Sequence, residues 1–119
     1  MVGDVLVVDD DAAFRSLAGR MLTALGLSIV GEAATVAAAR EAANALRPHA
    51  ALIDVGLPDG DGVALAGEIA ALPWQPRILL TSSDPDAGRL IDIHAKAGLT
   101  FVPKSELPNA QLRALLAGQ

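Results

Sequence analysis

Two short runs, Val5-Leu6-Val7-Val8 and Ala50-Ala51-Leu52-Ile53, are apolar without alternation, and each stops at aspartate. The first is followed by Asp9, Asp10 and Asp11, the second by Asp54. A strand that is apolar on both faces belongs inside a parallel sheet covered by helices on both sides. In such sheets polar chemistry collects just beyond the carboxyl ends of the strands, where loops leave the core. Neighbouring strands of this kind would bring Asp9, Asp10 and Asp54 into one half-desolvated pocket. Like charges that close raise one another's pKa unless a cation joins them. The site therefore calls for a divalent metal or a lysine.

The rest of the chain supplies the covering helices at regular intervals. The first strand, Asp4 to Val8, leads to a helix over Ala12–Leu25 that carries Phe14, Leu17, Ala18, Met21, Leu22 and Leu25 on one face, with Gly26 as its stop. A second strand, Ser28 to Gly31, precedes a helix capped by Thr35 and ended by Pro48 after Leu46. The third strand, Ala50 to Asp54, opens into a loop over Val55–Gly62 that is dense in turn residues, followed by a helix to Leu72. The fourth strand is Arg77 to Thr81, and Asp84-Pro85 opens a helix to Ala97. The fifth strand, Thr100 to Val102, precedes a last helix over Asn109–Ala117. Strict alternation of strand and helix implies an α/β fold: a five-stranded parallel sheet with right-handed crossovers and helices on both faces. The common order 2-1-3-4-5 sets the first and third strands side by side and so gathers the acids.

At 119 residues the chain reads as one domain over 1–119. A hydrophobic fraction of 52% is incompatible with intrinsic disorder. No apolar stretch is long enough for a membrane helix, and no basic region precedes an apolar segment at the start. With no cysteine there is neither a disulfide framework nor a thiolate metal site, and the expected location is cytoplasmic. A net charge of −5 argues against direct binding to nucleic acid. Lys96 and Lys104 are the only lysines, which makes the position of each informative.

The carboxyl ends of the strands hold Asp9-Asp10, Asp54, Thr81-Ser82 and Lys104. Each type suits phosphoryl transfer, where catalysis is mostly positioning and charge neutralisation. Mg²⁺ takes oxygen ligands and keeps waters. Asp10, Asp54 and the Gly56 backbone carbonyl could hold it, with Asp9 reaching it directly or through water. Asp54, central among these groups, is the candidate nucleophile, and the Lys104 ammonium and Thr81 hydroxyl would bind phosphoryl oxygens. Asp11 is expected to cap the first helix, and Asp59 and Asp61 to serve the loop. His49 and His94 have no partner ligand in sequence, and Trp74, between prolines, is expected to lid the third helix.

These residues resemble the receiver domain of two-component response regulators over essentially the whole length. The resemblance is carried by Val7-Val8-Asp9-Asp10, Leu52-Ile53-Asp54-Val55-Gly56-Leu57-Pro58 with Asp61-Gly62, Leu79-Leu80-Thr81-Ser82, and Phe101-Val102-Pro103-Lys104. It implies a flavodoxin-like fold, phosphotransfer from a sensor histidine kinase or phosphotransfer protein to Asp54, and Mg²⁺ on Asp9, Asp10 and Asp54. It also implies a switch in which Thr81 approaches the phosphoryl group and Phe101 turns inward. The face of the fourth helix, fifth strand and fifth helix is then remodelled toward an output domain or partner, and is the candidate surface for a homodimer. Two positions depart from the common pattern: Ser105 stands where many receivers have proline after the lysine, and Gly56 puts no side chain beside Asp54. A degenerate receiver serving only as an interaction module would lack the acid pair, the acceptor or the lysine. A haloacid-dehalogenase-like phosphatase would need aspartate at position 56. A flavodoxin proper would carry a phosphate cradle rather than acids after its first strand. The expectation is a phosphoacceptor switch and not an enzyme with an external substrate to turn over.

Overall fold

A computed structural model describes residues 3–84, 99–107 and 116. Its main sheet contains strands β1 (Asp4–Val8), β2 (Ser28–Ala33), β3 (Ala50–Asp54), β4 (Arg77–Thr81) and β5 (Leu99–Phe101), all parallel and ordered β2-β1-β3-β4-β5. Helices α1 (Ala12–Ala24), α2 (Val36–Leu46) and α3 (Gly62–Ala70) provide the described crossovers. The expected strand order and flavodoxin-like architecture are both present.

The two unalternated runs are buried on both faces because the sheet has a core on each side. Leu6, Val8, Ala51, Ile53, Ile78 and Leu80 point into one layer, with Ala39, Ala43, Leu65, Ala66 and Ile69 from α2 and α3. Val5, Val7, Ala50, Leu52 and Leu79 point into the other, with Ala18 and Leu22 of α1, Leu107 and Leu116. The residue after each run continues the alternation, so Asp9, Asp54 and Thr81 emerge on the α1 side.

Several boundaries differ from the sequence expectation. β2 runs on to Ala33 rather than stopping at Gly31, because it stays paired with β1 throughout; a register shift between Val5 and Leu6 absorbs one extra β2 residue. α3 stops at Ala70, short of Leu72, since the residue before Pro73 is biased away from helical geometry. β5 begins one residue early, at Leu99, although the Val102 N–H still donates to the Leu80 carbonyl at 2.9 Å. Within the turn-rich loop, Gly56–Leu57 and Gly60–Asp61 pair as a small antiparallel ribbon that the sequence did not announce. Pro103 leads into a 3₁₀ turn over Lys104–Glu106, and no described peptide bond is cis. The expected helices at 84–97 and 109–117 lie outside the described residues, except that Leu116 is helical and buried. The helix-strand-helix face built on them lies largely outside as well. No described helix is long and apolar enough to cross a membrane.

Trp74 sits elsewhere than expected. Its Nε1–H donates to the Pro48 carbonyl at 2.8 Å, and the Arg47 guanidinium stacks 4.6 Å from its ring centroid. It seals the turn between α2 and β3 rather than the surface of α3.

Two glycines of α3 give opposite predictions. A Cβ at Gly62 would overlap the Asp54 carbonyl oxygen and lie 2.7 Å from the Val55 Cα, whereas one at Gly67 meets nothing within 4 Å. Gly62→Ala is expected to destabilise by about 1–3 kcal/mol. Gly67→Ala is expected to stabilise by about 0.5–1 kcal/mol, through helix propensity. Urea midpoints at unchanged m-value check both signs.

Candidate functional site

β1 and β3 are hydrogen-bonded neighbours with Val8 opposite Ile53, so Asp9 and Asp54 leave the sheet side by side. On the other flank of β3, Thr81 stands opposite Asp54. One carboxylate oxygen from each of Asp9, Asp10 and Asp54 lies within 4.8 Å of the others. Asp9 is fully buried, Asp54 is 7% exposed and Asp10 faces solvent.

Asp9 is fixed from several directions. Its N–H donates to the Ala33 carbonyl at 2.9 Å, and its own carbonyl accepts from Arg15 Nη1 at 2.6 Å. Its Oδ1 accepts from the Asp11 N–H at 2.8 Å. Its Oδ2 lies 2.7 Å from Lys104 Nζ as an ion pair without hydrogen-bond alignment. Arg15 also pairs with Glu32 at 3.0 Å, tying α1 to the end of β2. Asp11 caps α1 as expected, accepting from the N–H groups of Ala13 at 2.9 Å and Phe14 at 3.4 Å. Asp61 caps α3 through the Val63 N–H at 2.8 Å.

Lys104 reaches the pocket from the turn after β5. Its N–H donates to the Ser82 carbonyl at 3.0 Å, and its ammonium rests 4.2 Å above the centroid of the Phe14 ring. Cation–π contacts of this kind contribute about 0.5–2 kcal/mol. The Ser82 hydroxyl is occupied in the turn, accepting from the Asp84 N–H at 3.0 Å. Thr81 Oγ1 is buried without a hydrogen-bond partner. Such orphaned hydroxyls are rare enough to need a reason. Gly56 adjoins the acids, since a Cβ built on it would lie 3.9 Å from Asp54 Oδ2. Phe101 is half-buried and packs with Leu80 on the opposite face of the sheet, outside the acid pocket.

Electrostatics sets what the pocket can hold. Burial pushes the Asp54 carboxyl up to about 6, and the Asp9 charge pushes the same way. Lys104 opposes that rise, Asp10 adds to it, and a hydrogen bond from the Gly56 backbone opposes it. Three ionised carboxylates against one ammonium leave two formal negative charges. A divalent cation would neutralise them, and an all-oxygen donor set suits a hard ion. The donor set, the Asp9 oxygen without an aligned donor and the raised Asp54 all fit such an ion.

Sequence reasoning located the acids, Thr81, Ser82 and Lys104 from strand ends alone. It did not anticipate Phe14 beneath the lysine, although the position one helical turn into α1 was already known to face inward. It also missed Arg15 on the Asp9 carbonyl and Asp59 on α2, contacts that depend on how separate elements dock. Asp59 accepts from the N–H groups of Val36 at 2.7 Å and Ala37 at 3.1 Å. Those bonds, the Val36 one foremost, hold its carboxyl below the usual range.

A raised carboxyl destabilises the fold once it ionises. Between the ordinary value of 3.8 and about 6, the folded protein keeps a proton on Asp54 that the unfolded chain releases. This contribution therefore falls as pH rises through that window. In chelator, Asp54→Asn should gain stability over wild type as pH rises from about 4 to about 6, reaching about 1–3 kcal/mol. Added Mg²⁺ should shrink the gap by stabilising wild type. Urea denaturation at several pH values measures the difference, and a gap flat with pH would rule the reading out.

A family model for the response regulator receiver domain matches residues 5–116. The transcriptional regulatory protein PdtaR of Mycobacterium tuberculosis is 37% identical over 122 residues, covering 95% of this chain and 60% of that protein. Protein-glutamate methylesterase/protein-glutamine glutaminase 2 of Shewanella sp. (strain MR-7) is 32% identical over 109 residues, covering 90% of this chain and 31% of that protein. The chain thus spans less than two thirds of the length of either relative. Among solved structures, a LuxR-family two-component response regulator from Aurantimonas sp. SI85-9A1 superposes with a TM-score of 0.82 at 26% identity, covering 100% of this chain and 88% of that one.

Proposed function

The chain belongs to the response regulator receiver domain family, and on that premise we propose that Asp54 accepts a phosphoryl group from the phosphohistidine of a sensor histidine kinase or phosphotransfer protein. The observation that carries this reading is the arrangement around Asp54. A carboxylate held among acids has Thr81 beside it in register with an unpartnered hydroxyl, and an ammonium waits on the neighbouring Asp9.

Asp9, Asp10 and Asp54 would hold Mg²⁺ with the Gly56 backbone carbonyl. When bound, the ion supplies positive charge that keeps Asp54 ionised near neutral pH and offsets the charge of the incoming phosphoryl oxygens. An oxygen of the Asp54 carboxylate attacks phosphorus, forming an acyl phosphate as the bond from phosphorus to the imidazole nitrogen breaks; the bonding electrons leave with the imidazole. Lys104 then exchanges Asp9 for a phosphoryl oxygen. The Thr81 hydroxyl donates to another, which gives the orphaned oxygen its partner. Ser82 shapes this end through its backbone carbonyl, which holds the Lys104 N–H.

The movement of Thr81 opens room behind it for Phe101, which begins half-buried across the sheet. We place the readout on β5 and the two helices that the sequence leads one to expect on either side of it, acting on an output domain, a partner or a second copy. Hydrolysis of the acyl phosphate resets the domain, so the chemistry is self-directed and no external substrate is turned over. Nucleic acid is not a direct ligand of this acidic domain, and the cytoplasm is the proposed location.

Incubation with a small phosphodonor and Mg²⁺ should add the mass of one phosphoryl group, and chelator or Asp54→Asn should abolish it. Lys104→Ala should slow the gain by about 10²-fold, the scale of removing one charge-stabilising donor. Intact-protein mass spectrometry reads both. A wild type that stays unmodified with the small donor and with a functional kinase would refute the proposal.

A further inference from the structure

The ribbon that carries Gly56 is only two residues on each strand, and a hairpin that short has no independent stability. Something outside it must fix its position beside Asp54. The structure supplies anchors at both ends. At the far end, Asp61 caps α3 and the Gly62 N–H donates to the Val55 carbonyl at 3.1 Å. At the tip, Asp59 leaves its own loop and grips the first turn of α2 through the Val36 and Ala37 N–H groups.

Those amides are orphan donors of a helix start, and a carboxylate is their strongest available acceptor. The packing runs the same way. A Cβ on Gly60 would lie 3.1 Å from Val36 Cγ2, so the ribbon lies against that same turn. Leu57 is buried in the core layer on which Val36 packs. α2 already has its own cap: the Thr35 hydroxyl accepts from the Ala38 N–H at 3.0 Å. Asp59 therefore does more than finish a helix.

We infer that Asp59 is a positioning residue for the metal pocket, tethering the Gly56 ribbon to the N-terminus of α2 so that the loop backbone is held against Asp54. The inference rests on the cation site proposed above. It ties cation affinity to a residue that takes no part in coordination.

The experiment uses the full chain with Asp59→Ala, Asp59→Asn and Thr35→Ala. Calorimetric titration with Mg²⁺ gives affinity, and amide hydrogen exchange of the metal-free proteins reports on Gly56 and Gly62. Asp59→Ala should weaken Mg²⁺ binding by about tenfold, the low end of the range for groups that support metal ligands, and should speed exchange at both glycines. Asp59→Asn keeps an acceptor for only one of the two amides and should fall between Asp59→Ala and wild type. Thr35→Ala should lower the melting temperature while leaving affinity and glycine exchange unchanged. The tether is overturned if Asp59→Ala changes neither readout. It is equally overturned if Thr35→Ala weakens binding as much, which would assign the effect to helix stability. A wild type that takes up no Mg²⁺ defeats the cation reading alone, and glycine exchange still decides the tether.

Discussion

The rest of this structure answers to one electrostatic problem: three carboxylates placed at the ends of adjacent parallel strands. The hydrophobic interior of the sheet makes the strands adjacent, and adjacency makes the acids neighbours whether or not their charges favour it. Like charges this close oppose the fold, the buried Asp9 acting on Asp54 more strongly than the solvent-facing Asp10. Lys104 relieves part of this from the turn after β5, seated between Asp9 and the Phe14 ring. Asp54 stays raised all the same, by its burial first and by the Asp9 charge second. A core that stabilises the fold thus holds in place an edge that would otherwise come apart.

The pocket is also uneven in how firmly its members are held. Asp9 has its N–H, its carbonyl and one carboxylate oxygen all engaged in hydrogen bonds. Thr81 Oγ1 has none, and Lys104 is held by charge and ring contact without an aligned hydrogen bond to Asp9. The groups on the β1 side are a fixed template, and those on the β4–β5 side have bonds still to make. That asymmetry fits a site that changes state without losing its shape.

Much of this was legible before any coordinates. The runs ending at Asp9 and Asp54 fixed the parallel sheet, the neighbouring strands and the acid cluster, because burial on both faces has few other solutions. Thr35 and Asp11 were recognisable as caps, since capping is a local property of a few consecutive residues. Three things were not readable: the extension of β2 to Ala33, the ribbon inside the loop, and the reach of Asp59 to α2. The first and the last depend on a partner distant in sequence, and the ribbon pairs residues only three to five positions apart without any alternation to mark it. A register shift, a two-residue ladder and a cap supplied from 23 positions away leave no periodic trace. Trp74 was misplaced for the same reason, since flanking prolines mark a turn without naming the carbonyl its indole will find.

The chain's single tryptophan, stacked on Arg47 and bonded to Pro48, lies where β3 and β4 begin, whereas the acids lie where the strands end. A five-residue strand separates the two by about 16 Å. The native fluorophore is thus a bystander to the acid pocket: its emission will track denaturation of the sheet but stay dark to events at Asp54. An optical readout of the site would have to be introduced at the other end of the strands.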